Sequence, residues 1–197
     1  MKDFWKYLLT VLTVLLMTSA MAYAEEKVGI LLEAPIDFCN DVNVHELIDN
    51  KTALLFPKDR FTVMSTADSI VATEEYRKAN DMGNVLAEGR GGYTKPMRMD
   101  NVMGLGKQMG ANYVLFFKLS NDAPQYGGNI LGATVKANII CEIRVMNVAK
   151  GMYSINKQIV EKGKSTAIYQ GMPSFNHAYM YAFKKAVDLL NFDVTAL

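Results

Sequence analysis

The chain has 197 residues, 50% of them hydrophobic and 21% charged, with 21 basic side chains against 20 acidic ones. That composition is ordinary for one globular domain, and it excludes a disordered tail, a collagen-like fibre and a polytopic membrane protein. A net charge near zero lacks the basic excess on which phosphate binding draws, so nucleic acid is not an expected partner.

At the amino terminus, Lys2 and Lys6 flank a short charged start, an apolar run extends from Tyr7 to Met17, and Ala22, Tyr23 and Ala24 precede Glu25 and Glu26. A charged start, an apolar stretch and small residues two apart form the layout of a secretory signal peptide, with cleavage expected between Ala24 and Glu25. A retained anchor needs about 20 apolar residues to cross the hydrocarbon core, and Thr18 and Ser19 break this run. The expectation is therefore an exported chain, periplasmic or secreted, with one domain over 25–197 and no membrane span after cleavage. No Cys stands near the cleavage point, so the acylated Cys that tethers a lipoprotein is not expected.

The segment KVGILLE, Lys27 to Glu33, is a short apolar run ended by Pro35 and is expected to be a buried strand. A loop carrying Asp37 and Cys39 follows, then a helix from Asp41 to Leu55 with Val44, Leu47, Ile48 and Leu55 on one side. RFTVMS supplies a second strand from Phe61 to Ser65, and Thr66 or Asp68 caps a helix that runs through Ile70, Val71 and Tyr76 to about Ala79. From Asn80 to Lys95, Gly83, Gly89, Gly91 and Gly92 predict a loop. A short helix from Asp100 to Met109 is capped by Gly110, and ANYVLFFKLS, apolar on both faces, is expected at the middle of the sheet.

A loop from Asn121 to Gly132 leads to the clearest pattern in the chain. Val135, Ala137, Ile139, Cys141, Ile143 and Val145 alternate with Lys136, Asn138, Ile140, Glu142, Arg144 and Met146, which is the period of a strand with one core face. A turn at Ala149, Lys150 and Gly151 returns the chain into a strand with Tyr153, Ile155 and Ile159, making an antiparallel hairpin. Ser174 caps a last amphipathic helix whose core arc is Phe175, Ala178, Tyr179, Ala182, Phe183, Ala186, Leu189 and Leu190. His177, Tyr181, Lys184 and Asp188 fall on its far side. The expected fold is α/β: a single mixed sheet of about five strands, three of them alternating with helices, then the hairpin and the last helix.

Catalytic chemistry is poorly supplied. GKST at Gly163 to Thr166 imitates the end of a phosphate-binding loop, but Gln158 stands where the first Gly belongs. GLGKQMG at Gly104 to Gly110 has the wrong spacing for a dinucleotide fingerprint. His45 and His177 are the only histidines, too few for a three-His zinc site and without a second ligand at helical or turn spacing, so no metal or cofactor is expected. Cys141 lies on the core face of its strand, where a thiol packs and does not react. Acid pairs such as Asp37 with Asp41 or Glu74 with Glu75 leave an envelope hydrolase as an alternative, and the Gly-rich stretch 80–95 leaves a small-ligand binder as another. Cys39 and Cys141 are the two cysteines, an even count that permits a disulfide between them after export.

The segments KVGILLEAPID, LFPKDRFTVMS and LGKQMGANYVLFFKLS, followed by a hairpin and a long amphipathic helix, resemble the small α/β domain shared by the amino-terminal part of TolB, the penicillin-binding-protein activator LpoB and the curli secretion lipoprotein CsgG. The residues that carry the likeness are Val28 to Leu32, Phe61 to Met64, and Leu105, Gly106, Gly110, Ala111, Tyr113, Val114 and Leu115. What the resemblance implies is a non-catalytic envelope module, an adaptor or assembly accessory that works by touching other envelope proteins. The membrane-crossing hairpins of a secretion pore have no counterpart here. The outer face of the last helix, with His177, Tyr181, Lys184 and Asp188, is the candidate partner surface, because an exposed aromatic amid charge is a common interface anchor.

Overall fold

The computed structural model describes residues 25–83, 95–129, 132–168 and 172–197. Residues 1–24, which carry the expected leader and its cleavage site at Ala24, and 84–94, most of the Gly-rich stretch, lie outside the described residues. Six strands form one open mixed sheet. Strand β1 (Glu26–Glu33) pairs in parallel with β2 (Phe61–Val63) on one side and with β3 (Tyr113–Asn121) on the other. Strand β5 (Gly132–Asn147) runs antiparallel to β3, and β6 (Met152–Ile168) runs antiparallel to β5 along its whole length. Strand β4 (Gln125–Asn129) pairs with Gly132 to Lys136, so β3 and β4 follow one another along the same side of β5.

The parallel strands are joined through helices, as parallel pairing requires. Helix α1 (Ile36–Cys39) and α2 (Val42–Leu55) follow β1, α3 (Thr66–Ala79) follows β2, α4 (Met99–Met109) precedes β3, and α5 (Phe175–Leu189) closes the chain before a 3-10 turn at Val194–Ala196. Strand alternation divides the core in two. Val28, Ile30 and Leu32 of β1, Leu115 and Phe117 of β3, and Val135 to Val145 at alternate positions of β5 pack with Phe38, Val44, Ile48 and the buried arc of α5. Leu31, Val114, Phe116 and Met146 point to the opposite face and pack with Tyr76, Val102, Leu105 and Met109. β3 is apolar on both faces because it is covered on both faces.

Several local details differ from the sequence expectation. The expected loop around Cys39 contains the short helix α1, and the expected loop from Asn121 to Gly132 contains strand β4, giving six strands where about five were expected. The segment QYGGN has two adjacent Gly and no alternation, so its strand comes from pairing with β5 and not from its own pattern. The second strand stops at Val63, which frees Ser65 to cap α3: its side chain, and not that of Thr66 or Asp68, accepts the Asp68 N–H. Leu189 is 60% exposed and does not belong to the core arc expected for the last helix, while Val187 does.

Gly110 caps α4 at φ 64°, in the left-handed region that favours glycine. The other glycines of GLGKQMG serve packing: a Cβ on Gly104 would stand 2.5 Å from the Tyr76 hydroxyl, and one on Gly106 would stand 2.5 Å from Val148. Met97 and Met109 are buried core residues, while Met99, at the start of the helix, is exposed.

Candidate interaction surface

Helix α5 begins at Ser174, whose Oγ accepts from the His177 N–H at 3.3 Å. Ala178, Tyr179, Ala182, Phe183, Ala186 and Val187 are buried against the sheet. His177, Tyr181, Lys184 and Asp188 are all exposed, and their spacing stacks them in one stripe along the helix. Tyr181 is 55% exposed, and the Lys185 ammonium lies 5.0 Å from its ring centroid. A cation at that distance is attracted by the ring face. At the carboxyl end, Lys51 Nζ of α2 donates to the Asp188 carbonyl oxygen at 2.9 Å. These groups can stack, hydrogen-bond and exclude water.

The two cysteines lie in one hydrophobic cluster as buried free thiols. Both thiols are free in the structure, without the bond between Cys39 and Cys141 that their even count permits, and Cys39 Sγ donates to the Ala34 carbonyl oxygen at 3.5 Å. Burial pushes Cys39 up to about 11, against the lowering effect of that hydrogen bond, and pushes Cys141 up to about 12. Neither is a ready thiolate nucleophile at neutral pH. Between them in the same cluster sits Tyr179, with its hydroxyl lacking a hydrogen-bond partner among the described residues and raised to about 12, chiefly by burial.

Four carboxylates, Asp41, Asp49, Glu33 and Glu142, are engaged in structural work. Asp41 caps α2 by accepting from the Asn43 N–H at 2.8 Å. Asp49 accepts from the Thr66 N–H at 2.8 Å and the Thr66 hydroxyl at 2.6 Å, tying α2 to the start of α3. Glu33, at the end of β1, meets the Arg77 guanidinium at 3.1 Å and accepts from the Met97 N–H at 3.0 Å, while Arg77 also donates to the Lys95 carbonyl at 2.9 Å. This buried junction joins partners 44 residues apart in the chain, and nothing in the local pattern around Arg77 announces it. Glu142 pairs with Arg144 at 2.7 Å. His45 Nε2 lies 2.7 Å from the Cys39 carbonyl, and among the described residues no group of three or more His, Cys, Asp or Glu is placed to hold a metal ion. No described helix is long and apolar enough to cross a membrane.

The fold is thus a mixed α/β sheet with helices on both faces of its parallel part. No family model and no curated protein matches the chain. Among solved structures it is similar to the hypothetical protein CT253 from Chlamydia trachomatis, with 11% identity over 84% of this chain and 92% of that one and a TM-score of 0.37. It is similar to the lipoprotein GNA1162 from Neisseria meningitidis, with 15% identity over 80% of this chain and 94% of that one and a TM-score of 0.35. It is also similar to the LpoB C-terminal domain from Escherichia coli, with 15% identity over 70% of this chain and 83% of that one and a TM-score of 0.36.

Proposed function

We propose that the chain is an exported, non-catalytic adaptor or assembly accessory of a bacterial envelope, and that it works through contacts with other envelope proteins. The observation that carries this reading is Tyr181: an aromatic ring held out in solvent under a lysine ammonium, on a helix whose other side is wholly committed to the core. Tyr is enriched among residues that dominate interface energy, because a rigid ring buries much area at little entropic cost. The buried thiols and the engaged carboxylates Asp41, Asp49 and Glu33 favour a contact surface over a hydrolytic site.

The test is recovery of a partner. Protein purified from its native envelope is expected to bring a reproducible companion, and replacing Tyr181 and Lys184 with Ala should lower its affinity by about 30-fold, the effect of losing a hot spot worth about 2 kcal/mol. Circular dichroism should be unchanged, since both side chains lie outside the core. Unchanged recovery by the folded double variant would refute this surface.

A further inference from the structure

We propose that the open face of the β5–β6 hairpin is a second contact surface, which takes an acid-rich segment of a partner protein. Helix α5 covers one face of the hairpin, where Ala137, Ile139 and Cys141 belong to the core. On the opposite face, Lys136, Asn138 and Ile140 of β5 lie directly across from Lys164, Lys162 and Val160 of β6, and Ile140 and Val160 belong to neither hydrophobic cluster. Side chains of directly opposite residues share a face of the sheet. Three ammonium groups therefore converge on one small area.

That area is a recess of about 330 Å³ lined by Gln125, Lys136, Asn138, Lys162 and Lys164. None of the three lysines has an ion-pair partner among the described residues. Like charges directly opposite one another on a sheet are destabilising. Lysine on an edge strand guards against aberrant strand pairing, which accounts for Lys162 and Lys164 on β6. It does not account for Lys136, which lies on an interior strand between Gln125 of β4 and Lys164 of β6.

Charge complementarity names the occupant. The ammonium groups and the Gln125 amide supply donors in a concave site, a set suited to carboxylates that reach in from a chain, while the Asn138 amide already donates to Asp122 Oδ2 at 3.4 Å. Basic clusters that bind anionic bilayers carry about 4 to 8 Lys or Arg, and this recess has Lys136, Lys162 and Lys164 alone. Next to the lysines, Ile140 and Val160 form an apolar pair, with Val160 55% exposed. The segment that fits thus carries acidic residues beside an apolar one. This surface lies on the side of the sheet away from α5, so it is separate from the Tyr181 stripe.

The test uses the exported protein and three probes: a synthetic peptide alternating Glu and Val, the same peptide with Gln for Glu, and phosphatidylglycerol vesicles. The Glu peptide should bind, weaken with rising salt, and lose at least about tenfold in affinity when Lys136→Glu and Lys164→Glu are combined. Tyr181→Ala should leave its binding unchanged, so failure of the α5 surface and failure of this one give different results. If the charge-reversed protein does not fold, Lys136→Gln with Lys164→Gln replaces it and should also weaken binding. No binding of the Glu peptide, equal binding of the Gln peptide, binding insensitive to the lysine changes, or binding of vesicles alone would each overturn the proposal.

Discussion

Gly163 of β6 lies directly beneath Ala178 of α5: a Cβ placed on Gly163 would stand 1.7 Å from the Ala178 carbonyl oxygen and 3.0 Å from the Ala182 nitrogen. Both neighbours are helix backbone and cannot turn aside as the end of a flexible side chain would. The glycine that imitates a phosphate-loop residue in GKST therefore sets how closely the last helix seats on the hairpin. Gly163→Ala must lift α5 from the sheet and is expected to cost about 3 kcal/mol, the upper end of ordinary overpacking. Gly127→Ala, where a Cβ would meet nothing within 4 Å, should change stability by less than about 0.5 kcal/mol. Urea unfolding of the two variants checks the contrast; equal midpoints would refute the close seating of α5.

The buried thiols and the orphan Tyr179 hydroxyl make stability fall at high pH. Burial raises Cys39 from 9.0 to about 11, Cys141 from 9.0 to about 12 and Tyr179 from 10.0 to about 12. All three hold their protons more tightly folded than unfolded, so the unfolded chain binds fewer protons between each pair of values. Their contribution is complete below about pH 9 and is lost as the pH climbs toward 12, at up to about 1.4 kcal/mol per pH unit for each group. Denaturation midpoints measured from pH 7 upward should hold level and then drop beyond pH 9. In the native state at pH 8 both thiols should resist alkylation, and both should react after unfolding without reductant. Recovery of a bonded pair under those conditions would show that the free thiols of this structure become oxidised in the native compartment.

How much of this was legible in the sequence depends on where the information is stored. Alternation in β5 from Val135 to Val145 predicts a buried face, and all six of those residues are buried. The α5 arc through Ala178, Tyr179, Ala182, Phe183 and Ala186 is likewise a local period made visible. Strand β4 was hidden because Tyr126, Gly127 and Gly128 have no alternation of their own and form a strand only by pairing with Val135, Thr134 and Ala133. Leu189 misled because it continues the apolar run at the margin of the arc, where it is 60% exposed although Val187 and Leu190 on either side of it are buried. The lysine recess was hidden for a related reason: Lys136 stands far from Lys162 and Lys164 in the chain, and only the hairpin register brings them together.

The junction between Glu33 and Arg77 should be a stability determinant. Arg77 is 2% exposed, and its guanidinium joins the end of β1 to the backbone at Lys95, while the same carboxylate oxygen of Glu33 holds the Met97 N–H. Removing one member of a buried pair leaves the other uncompensated, which costs about 3 to 5 kcal/mol. Glu33 is only part-buried and keeps the Met97 N–H, so Arg77→Ala should fall below that range, at about 1.5 to 3 kcal/mol. Replacing Glu33 with Gln keeps an oxygen for the Met97 N–H and should cost less. Thermal or urea unfolding of the two variants gives the order, and an Arg77→Ala protein as stable as the parent would show that the pair contributes nothing.

Lys164 faces Lys136 directly across the β5–β6 ladder, and both are exposed. Opposite-charge pairs at such positions favour a sheet by about 0.2 to 1 kcal/mol, and like-charge pairs disfavour it. Lys164→Glu replaces a repulsion with an attraction without touching the core, so it is expected to stabilise the protein by about 0.5 to 1 kcal/mol. The gain should shrink in high salt, because exposed charges are screened within about 10 Å at 0.1 M ionic strength. A denaturation series at two ionic strengths measures both. A variant more stable than the parent, and weaker toward the Glu peptide, would mean that the pair of lysines is kept against a local cost in stability because an acidic partner uses it; a variant less stable than the parent at low salt would remove that cost and with it the reason to look for the partner there.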